Sequence, residues 1–147
     1  MSARDQATIR QRPYLLSEED HQYYYQEFIQ RTYLDVSDSS IPPVAYFLGA
    51  QPGSGKTKLR VGLQTGAEVL INTDELRWIH PSYSTLLEDQ RTNQFAGHLV
   101  NPDATDWSIR LRNDAIEERR SIMVDSTLGV RSSTSLSYFK RYTIVVI

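Results

Sequence analysis

The fold of this chain is decided by the stretch Tyr46-Phe47-Leu48-Gly49-Ala50-Gln51-Pro52-Gly53-Ser54-Gly55-Lys56-Thr57. An apolar run, Val44 to Leu48, ends at a glycine-rich turn that closes with Gly-Lys-Thr, and a helical pattern follows directly. This is the strand–loop–helix layout of a phosphate-binding P-loop, with Ala50 in place of the first glycine of the strict motif. The stretch therefore predicts a site for a nucleoside triphosphate.

The residue types of this loop match the chemistry of phosphate binding. Gly53 and Gly55 allow successive backbone N–H groups to converge on one anion at the N-terminus of a helix. Lys56 is expected to reach the β- and γ-phosphates as a catalytic group, and the Thr57 hydroxyl to bind Mg²⁺. An ordinary glycine-rich turn is the alternative, but the apolar strand and the Lys-Thr pair favour the phosphate loop. The residues predicted to bind ATP are Gln51, Pro52, Gly53, Ser54, Gly55, Lys56 and Thr57.

Composition narrows the class of protein. With 147 residues the chain is long enough for one domain with its own core. The net charge of −2 disfavours a nucleic acid as the main ligand. The absence of cysteine excludes disulfides, thiolate metal sites and cysteine nucleophiles. No apolar run reaches membrane-spanning length and the N-terminus lacks an apolar signal segment, so we expect a cytoplasmic protein without a membrane contact.

The order of elements predicts one P-loop kinase-like domain. A polar arm covers residues 1–13, a helix and linker cover 14–43, and the α/β core covers 44–147, where the chain stops inside a strand. Short apolar runs without polar alternation are typical of strands covered on both faces. Because these runs alternate with helical segments, the expected fold is a doubly wound α/β sheet, mainly parallel, with helices on both faces. The later strands are predicted at Val69–Asn72, Ser121–Asp125 and Tyr142–Ile147.

Two helices of the predicted domain have distinct signals. Ser17-Glu18-Glu19-Asp20 has the spacing of a capping box, and the helix is expected to reach about Arg31 with Phe28 in its buried stripe. Gly97 is expected to interrupt the pattern before the second helix, which Asp103 would cap. The apolar residues Ala104, Trp107, Leu111 and Ala115 follow at helical spacing.

Carboxylates follow the second and third strands, where ligands bind in an open parallel sheet. Asp74 lies two residues past its strand, and we expect it to act as the general base that deprotonates an attacking hydroxyl. A helix N-cap is the structural alternative for Asp74, and the two roles are compatible. Asp125 ends the third strand and is expected either to hold Mg²⁺ or to bind hydroxyl groups of the substrate.

Two further stretches give these residues a family resemblance. One is Ile71-Asn72-Thr73-Asp74, followed six residues later by His80-Pro81, and the other is Ile122-Met123-Val124-Asp125-Ser126-Thr127. Together with the P-loop they resemble the zeta toxin family over residues 44 to 131. That family consists of kinases of toxin–antitoxin systems that phosphorylate UDP-N-acetylglucosamine on its sugar 3′-hydroxyl. The resemblance implies ATP and Mg²⁺ as cofactors, a sugar nucleotide as substrate and an antitoxin protein as partner.

The resemblance also implies roles for individual residues. Asp74 matches the catalytic base, while Lys56 and Thr57 match the ATP- and Mg²⁺-binding residues. Substrate-binding roles fall on Asp125 and Thr127 in the loop after the third strand, and on Asp114, or Asn113 if the alignment slips by one, in the helix before it. Arg131 matches the basic residue after that loop, with a spacing that differs by a residue or two.

The sequence departs from the family pattern in ways that leave alternatives open. Asp114 and Asp125 stand where the best-known members have glutamate. The lid segment that supplies arginines to the transferring phosphate would lie beyond Ile147. Such arginines contribute greatly to the rate. The alternatives are a catalytically impaired remnant that binds ATP or an antitoxin, and a P-loop kinase for another hydroxylated acceptor such as a nucleoside, an antibiotic or a dinucleotide.

Overall fold

A computed structural model describes residues 1–37, 42–48, 68–125 and 141–146. The chain forms two compact units, which are described separately. The first comprises Met1–Thr32 and Thr73–Arg110, and the second comprises Tyr33–Asn72 and Leu111–Ile147. Within the described ranges, no helix combines the length and the apolar character that crossing a membrane requires.

The second unit contains the predicted parallel sheet. Its described strands are β1 (Val44–Leu48), β2 (Val69–Ile71), β3 (Ile122–Asp125) and β4 (Thr143–Val146). They are arranged in the order β2-β3-β1-β4, and every neighbouring pair is parallel. The four predicted strands are therefore confirmed to within two residues at each end, and with them an α/β fold built on a parallel sheet.

The register of this sheet brings the carboxyl ends of neighbouring strands to one edge. Leu48, the last residue of β1, lies opposite Asp125, the last residue of β3. Ile71, the last residue of β2, lies opposite Val124. The strand cores are apolar on both faces, as expected for a covered parallel sheet. The buried strand residues include Ala45, Phe47, Leu48, Val69, Leu70, Ile71, Ile122 and Met123.

In the first unit, helix α1 (Glu18–Tyr24) begins where the capping signal predicts. The Ser17 hydroxyl accepts a hydrogen bond from the Asp20 N–H at 3.1 Å. The chain then continues as a π-helical segment over Tyr25–Leu34. Because a π-helix has a wider turn, the spacing of its buried face changes. Ile29 is fully buried, but Phe28 is 43% exposed, so its predicted place in the buried stripe is wrong.

The later part of the first unit is mainly helical. Helix α2 (Thr73–Leu76) continues into a 3-10 turn over Arg77–Ile79, and α3 (Tyr83–Glu88) follows. Helix α4 (Ala96–Glu117) begins seven residues before its predicted cap, and its residues from Leu111 onward belong to the second unit. A core cluster joins α3 to the start of α4 and consists of Leu86, Ala96, Leu99 and Val100. Gly97 lies inside α4, so the predicted interruption is wrong.

Asp103 is not the predicted N-cap, because α4 begins seven residues before it. Its side chain is 1% exposed and is held by tertiary contacts instead. The carboxylate accepts hydrogen bonds from the Leu16 N–H at 3.1 Å and from His21 Nδ1 at 2.6 Å, and it pairs with Arg4 Nε at 3.0 Å. These partners all come from the N-terminal segment, which therefore packs on α4 through a buried charge.

The pKa of the Asp103 carboxyl depends on two opposing effects, burial and hydrogen bonding. Burial alone raises the pKa of the Asp103 carboxyl, since it disfavours the charged form. Hydrogen bonds from His21, from His80 and from the Leu16 N–H act in the opposite direction and lower the pKa to about 2. Asp103 is therefore a charged, fully engaged group inside the first unit.

Candidate active site

The carboxyl end of the sheet in the second unit carries Asp125. Asp125 lies opposite Leu48, the last residue of β1. The predicted phosphate loop begins at the residue after Leu48 in the sequence. The Asn72 side-chain amide, just past β2, donates a hydrogen bond to Asp125 Oδ2 at 3.1 Å. Asp125 is half-buried. Three neighbouring strands thus end beside one oriented carboxylate.

Asp74 lies in the first unit, in the first turn of α2. Its side chain is 78% exposed and its Oδ1 forms an ion pair with Arg77 Nη1 at 3.2 Å. This exposure is compatible with the predicted role of Asp74 as a general base, which stays a prediction. Thr73, at the start of the same helix, donates from its hydroxyl to Ser108 Oγ on α4 at 3.2 Å. The first residue of the segment that carries Asp74 is therefore attached to α4.

His80 attaches the same segment at its other end. The His80 side chain is fully buried, and its Nε2 donates to the Tyr14 carbonyl at 2.8 Å. The Ser82 N–H donates to His80 Nδ1 at 3.1 Å. These two bonds assign the proton of a neutral imidazole to Nε2. The His80-Pro81 pair of the resemblance thus has a structural explanation as the anchor that ends the Asp74 segment.

The third predicted carboxylate, Asp114, lies in the part of α4 that belongs to the second unit. Asp114 is half-buried, whereas its neighbour Asn113 is exposed and accepts hydrogen bonds from the Arg112 guanidinium at 3.2 and 3.3 Å. The resemblance leaves a choice between Asp114 and Asn113, and these two side chains differ in burial. The substrate-binding role of Asp114 stays a prediction.

Several predicted residues lie outside the described part of the chain. They are Gln51, Pro52, Gly53, Ser54, Gly55, Lys56, Thr57, Thr127 and Arg131. Their roles in binding ATP, Mg²⁺ and the sugar nucleotide stay predictions.

Two site residues did not emerge from the sequence reasoning. Asn72 orients Asp125 although 53 positions separate them, and no local pattern indicates such a contact. Arg77 pairs with Asp74 at a spacing of three residues within one short helical stretch. Since residues three apart are neighbours on a helix, this second contact could have been found from the sequence.

The donor set is compatible with Mg²⁺, which is usually held by one or two carboxylates, hydroxyl groups, water and substrate phosphates. Asp125 provides a carboxylate that Asn72 holds in place at the strand end. The described residues contain no cluster of three or more His, Cys, Asp or Glu that could hold a metal ion by themselves. Among the described residues of this edge, Asp125 is thus a single carboxylate whose chemistry fits Mg²⁺.

Comparison with known proteins identifies the family. The model of one protein family, described as zeta toxin, matches residues 30–143 of this chain. This chain belongs to the zeta toxin family. The match includes β1, the predicted phosphate loop and the segments that carry Asp74, Asp114 and Asp125. A search of the curated proteins gives no match.

A solved structure shares the fold of this zeta toxin family member. It is a chain from a study of the PezAT chromosomal toxin–antitoxin system of Streptococcus pneumoniae, with a TM-score of 0.74 and 21% sequence identity. The similarity covers 90% of this chain and 57% of that chain, so this chain spans little more than half of the solved one. The shared fold is the P-loop NTPase-type α/β fold with a mainly parallel sheet that the sequence predicts.

Proposed function

We propose that this protein is an ATP-dependent phosphotransferase of the zeta toxin type, and that its acceptor is the sugar hydroxyl of UDP-N-acetylglucosamine. The membership of residues 30–143 in the zeta toxin family carries this proposal. The register at the sheet edge supports it, since Leu48, the residue that precedes the P-loop motif in the sequence, lies opposite Asp125. An antitoxin protein is the proposed macromolecular partner, and a cytoplasmic location suits a kinase that uses ATP.

The proposed reaction is one in-line transfer. The acceptor oxygen attacks the γ-phosphorus of ATP, and the bond from that phosphorus to the β–γ bridging oxygen breaks as ADP leaves. Asp74 accepts the proton of the attacking hydroxyl. Lys56 balances negative charge on the β- and γ-phosphates, and Mg²⁺, when bound, neutralises the remaining phosphate charge.

Each remaining group has a binding role in this proposal. Thr57 and Asp125 are the proposed Mg²⁺-binding residues, and the amide of Asn72 keeps the Asp125 carboxylate in one orientation. The sugar nucleotide is held by Asp114, Asp125, Thr127 and Arg131. The high exposure of Asp74 leaves its carboxylate accessible to the acceptor.

The direct test is a mass-spectrometric screen. The purified chain is incubated with ATP, Mg²⁺ and a panel of sugar nucleotides and nucleosides. We expect phosphorylated UDP-N-acetylglucosamine from the wild type and no product from Asp74→Asn or Lys56→Ala. Asp35→Asn, at an exposed aspartate in a turn, is the matched control and should retain activity.

The outcomes of the screen separate the alternatives. Product formation on a nucleoside alone would contradict the sugar nucleotide as acceptor. Equal turnover by Asp74→Asn and the wild type would contradict the assignment of the base. If ATP raises the melting temperature while no acceptor is phosphorylated, the chain is a binding remnant and the kinase proposal fails.

A further inference from the structure

Arg77 occupies an unusual position beside the proposed base. Its guanidinium reaches Asp74 Oδ1 through Nη1 at 3.2 Å. Its Nε and Nη2 donate to a single acceptor, Asn101 Oδ1 on α4, at 3.3 and 3.0 Å. Three of its nitrogens are thus engaged, two by the helix and one by the carboxylate.

The helix provides space for this guanidinium at Gly97. A Cβ atom at position 97 would lie 2.7 Å from Arg77 Nη1, which is closer than real Cβ contacts, and 3.1 Å from Cζ, so the guanidinium would have to shift. Gly97 and Asn101 are four residues apart and therefore share one face of α4. Gly97 leaves room for the planar group, and Asn101 fixes its orientation.

A second ion pair in the same unit shows what is particular to Arg77. Arg31 pairs with Glu27 at 3.1 Å, and its side chain is 67% exposed. The Arg77 side chain is only 26% exposed although its partner Asp74 is 78% exposed. Exposed ion pairs contribute little to stability. The packing of Arg77 on α4 is therefore better explained by the placement of the Asp74 carboxylate than by stability.

We propose that Arg77 is a positioning residue that acts through Asp74, and that Gly97 and Asn101 form its seat. The inference rests on the proposed function, because it gives Asp74 the role of general base. A guanidinium is planar and rigid, so the contacts that fix Arg77 on α4 also fix the position of the Asp74 carboxylate. A lysine has a single charged point on a flexible stem and cannot transmit that orientation.

The decisive variant is Gly97→Ala. A new methyl group displaces the guanidinium, while Gly97 is the second residue of α4, where alanine is compatible with the helix. We therefore expect kcat to fall about tenfold to a hundredfold, since small misplacements of reacting groups cost that much. The KM for ATP should stay unchanged and the melting temperature should stay the same or rise. A purely structural role for Gly97 would lower both stability and activity.

Three further variants sharpen this test. Arg77→Gln and Asn101→Ala should lower kcat to a similar extent. Arg77→Lys should also lower kcat and not keep the wild-type value. Arg31→Gln removes an exposed arginine from a helical ion pair in the same unit and should leave kcat unchanged. Wild-type kcat in Gly97→Ala or in Arg77→Lys overturns the inference.

A readout that does not depend on turnover separates this inference from the proposed function. The Nε–H group of Arg77 donates to Asn101, so its NMR signal should exchange slowly with water in the wild type and rapidly in Gly97→Ala and Asn101→Ala. A wild-type chain that transfers no phosphate overturns the proposed function. Rapid exchange of this signal in the wild type overturns the seating of Arg77, whatever the turnover.

Discussion

Asp103 and Asp74 are aspartates of the same unit with opposite surroundings. The Asp103 side chain is 1% exposed, and its carboxylate binds Arg4, His21 and the Leu16 N–H. The Asp74 side chain is 78% exposed and pairs with an arginine that α4 holds in place. The bonding capacity of the first carboxylate is used in joining segments of the fold. The Asp74 carboxylate is exposed, so the surroundings rather than the residue type distinguish a structural aspartate from a candidate for the proposed reaction.

The largest expected effect on stability comes from Asp103→Asn. This change leaves Arg4 without its buried counter-charge and His21 without its carboxylate partner, and breaking a buried ion pair costs about 3–5 kcal/mol. Urea unfolding followed by the fluorescence of Trp107, which is buried and stacks on His21, measures the loss. A loss below about 1 kcal/mol would contradict the account of Asp103 as a buried charge that joins the N-terminal segment to α4.

Acid should weaken the same network. The pKa of Asp103 falls from an ordinary 3.8 to about 2 on folding. A carboxyl with a depressed pKa stabilises the folded state above its unfolded pKa, and this contribution is lost as the pH falls through the folded value. We expect a loss of about 2 kcal/mol in the free energy of unfolding as the pH falls from about 4 to about 2. Asp103→Asn should lack this component in the same titration.

Ser17→Ala tests the strength of an N-cap in this protein. The Ser17 hydroxyl accepts from the Asp20 N–H at the start of α1, and losing such a cap costs about 1 kcal/mol. Thermal unfolding measured by circular dichroism should show this smaller decrease. Ser17→Asp, which keeps a capping oxygen, should retain most of the stability. A decrease as large as that of Asp103→Asn would remove the distinction between a cap and a buried network.

The smallest expected effect on stability belongs to Asp74→Asn. An exposed ion pair contributes about 0–1 kcal/mol, so the free energy of unfolding should change by less than about 0.5 kcal/mol. The measurement is the same urea titration as for Asp103→Asn, which makes the two aspartates directly comparable. A loss of several kcal/mol would show that Asp74 supports the fold, which would contradict its accessible position.

The strands could be predicted because their signal is local. Runs such as Val44 to Leu48 are apolar without alternation, and the structure confirms them. The surroundings of Asp103 could not be predicted in this way, because its partners His21 and Leu16 are 82 and 87 positions away. The prediction for Phe28 is wrong because the helical period changes in the π-helical segment. The prediction for Gly97 is wrong because the group that fills its space, the Arg77 guanidinium, belongs to another element.

In the candidate site, too, contacts between distant residues could not be predicted from local sequence patterns. Strand ends identify Asp74 and Asp125 because ligands bind beyond the carboxyl ends of parallel strands. The groups that orient these carboxylates are harder to find. Asn72 meets Asp125 only through the pairing of β2 with β3, and the seat of Arg77 depends on α4. Sequence therefore indicates candidate reactive groups more readily than the groups that orient them.

The central claim is that Asp74 serves the reaction and not the fold, and one measurement tests it most directly. The kcat for phosphate transfer from ATP to UDP-N-acetylglucosamine is compared between the wild type and Asp74→Asn, with the folded fraction of each determined in the same buffer. We predict equal folded fractions and a kcat lower by about a hundredfold to ten-thousandfold in the variant, as expected for the loss of a general base. Equal kcat values at equal folded fractions would contradict the claim.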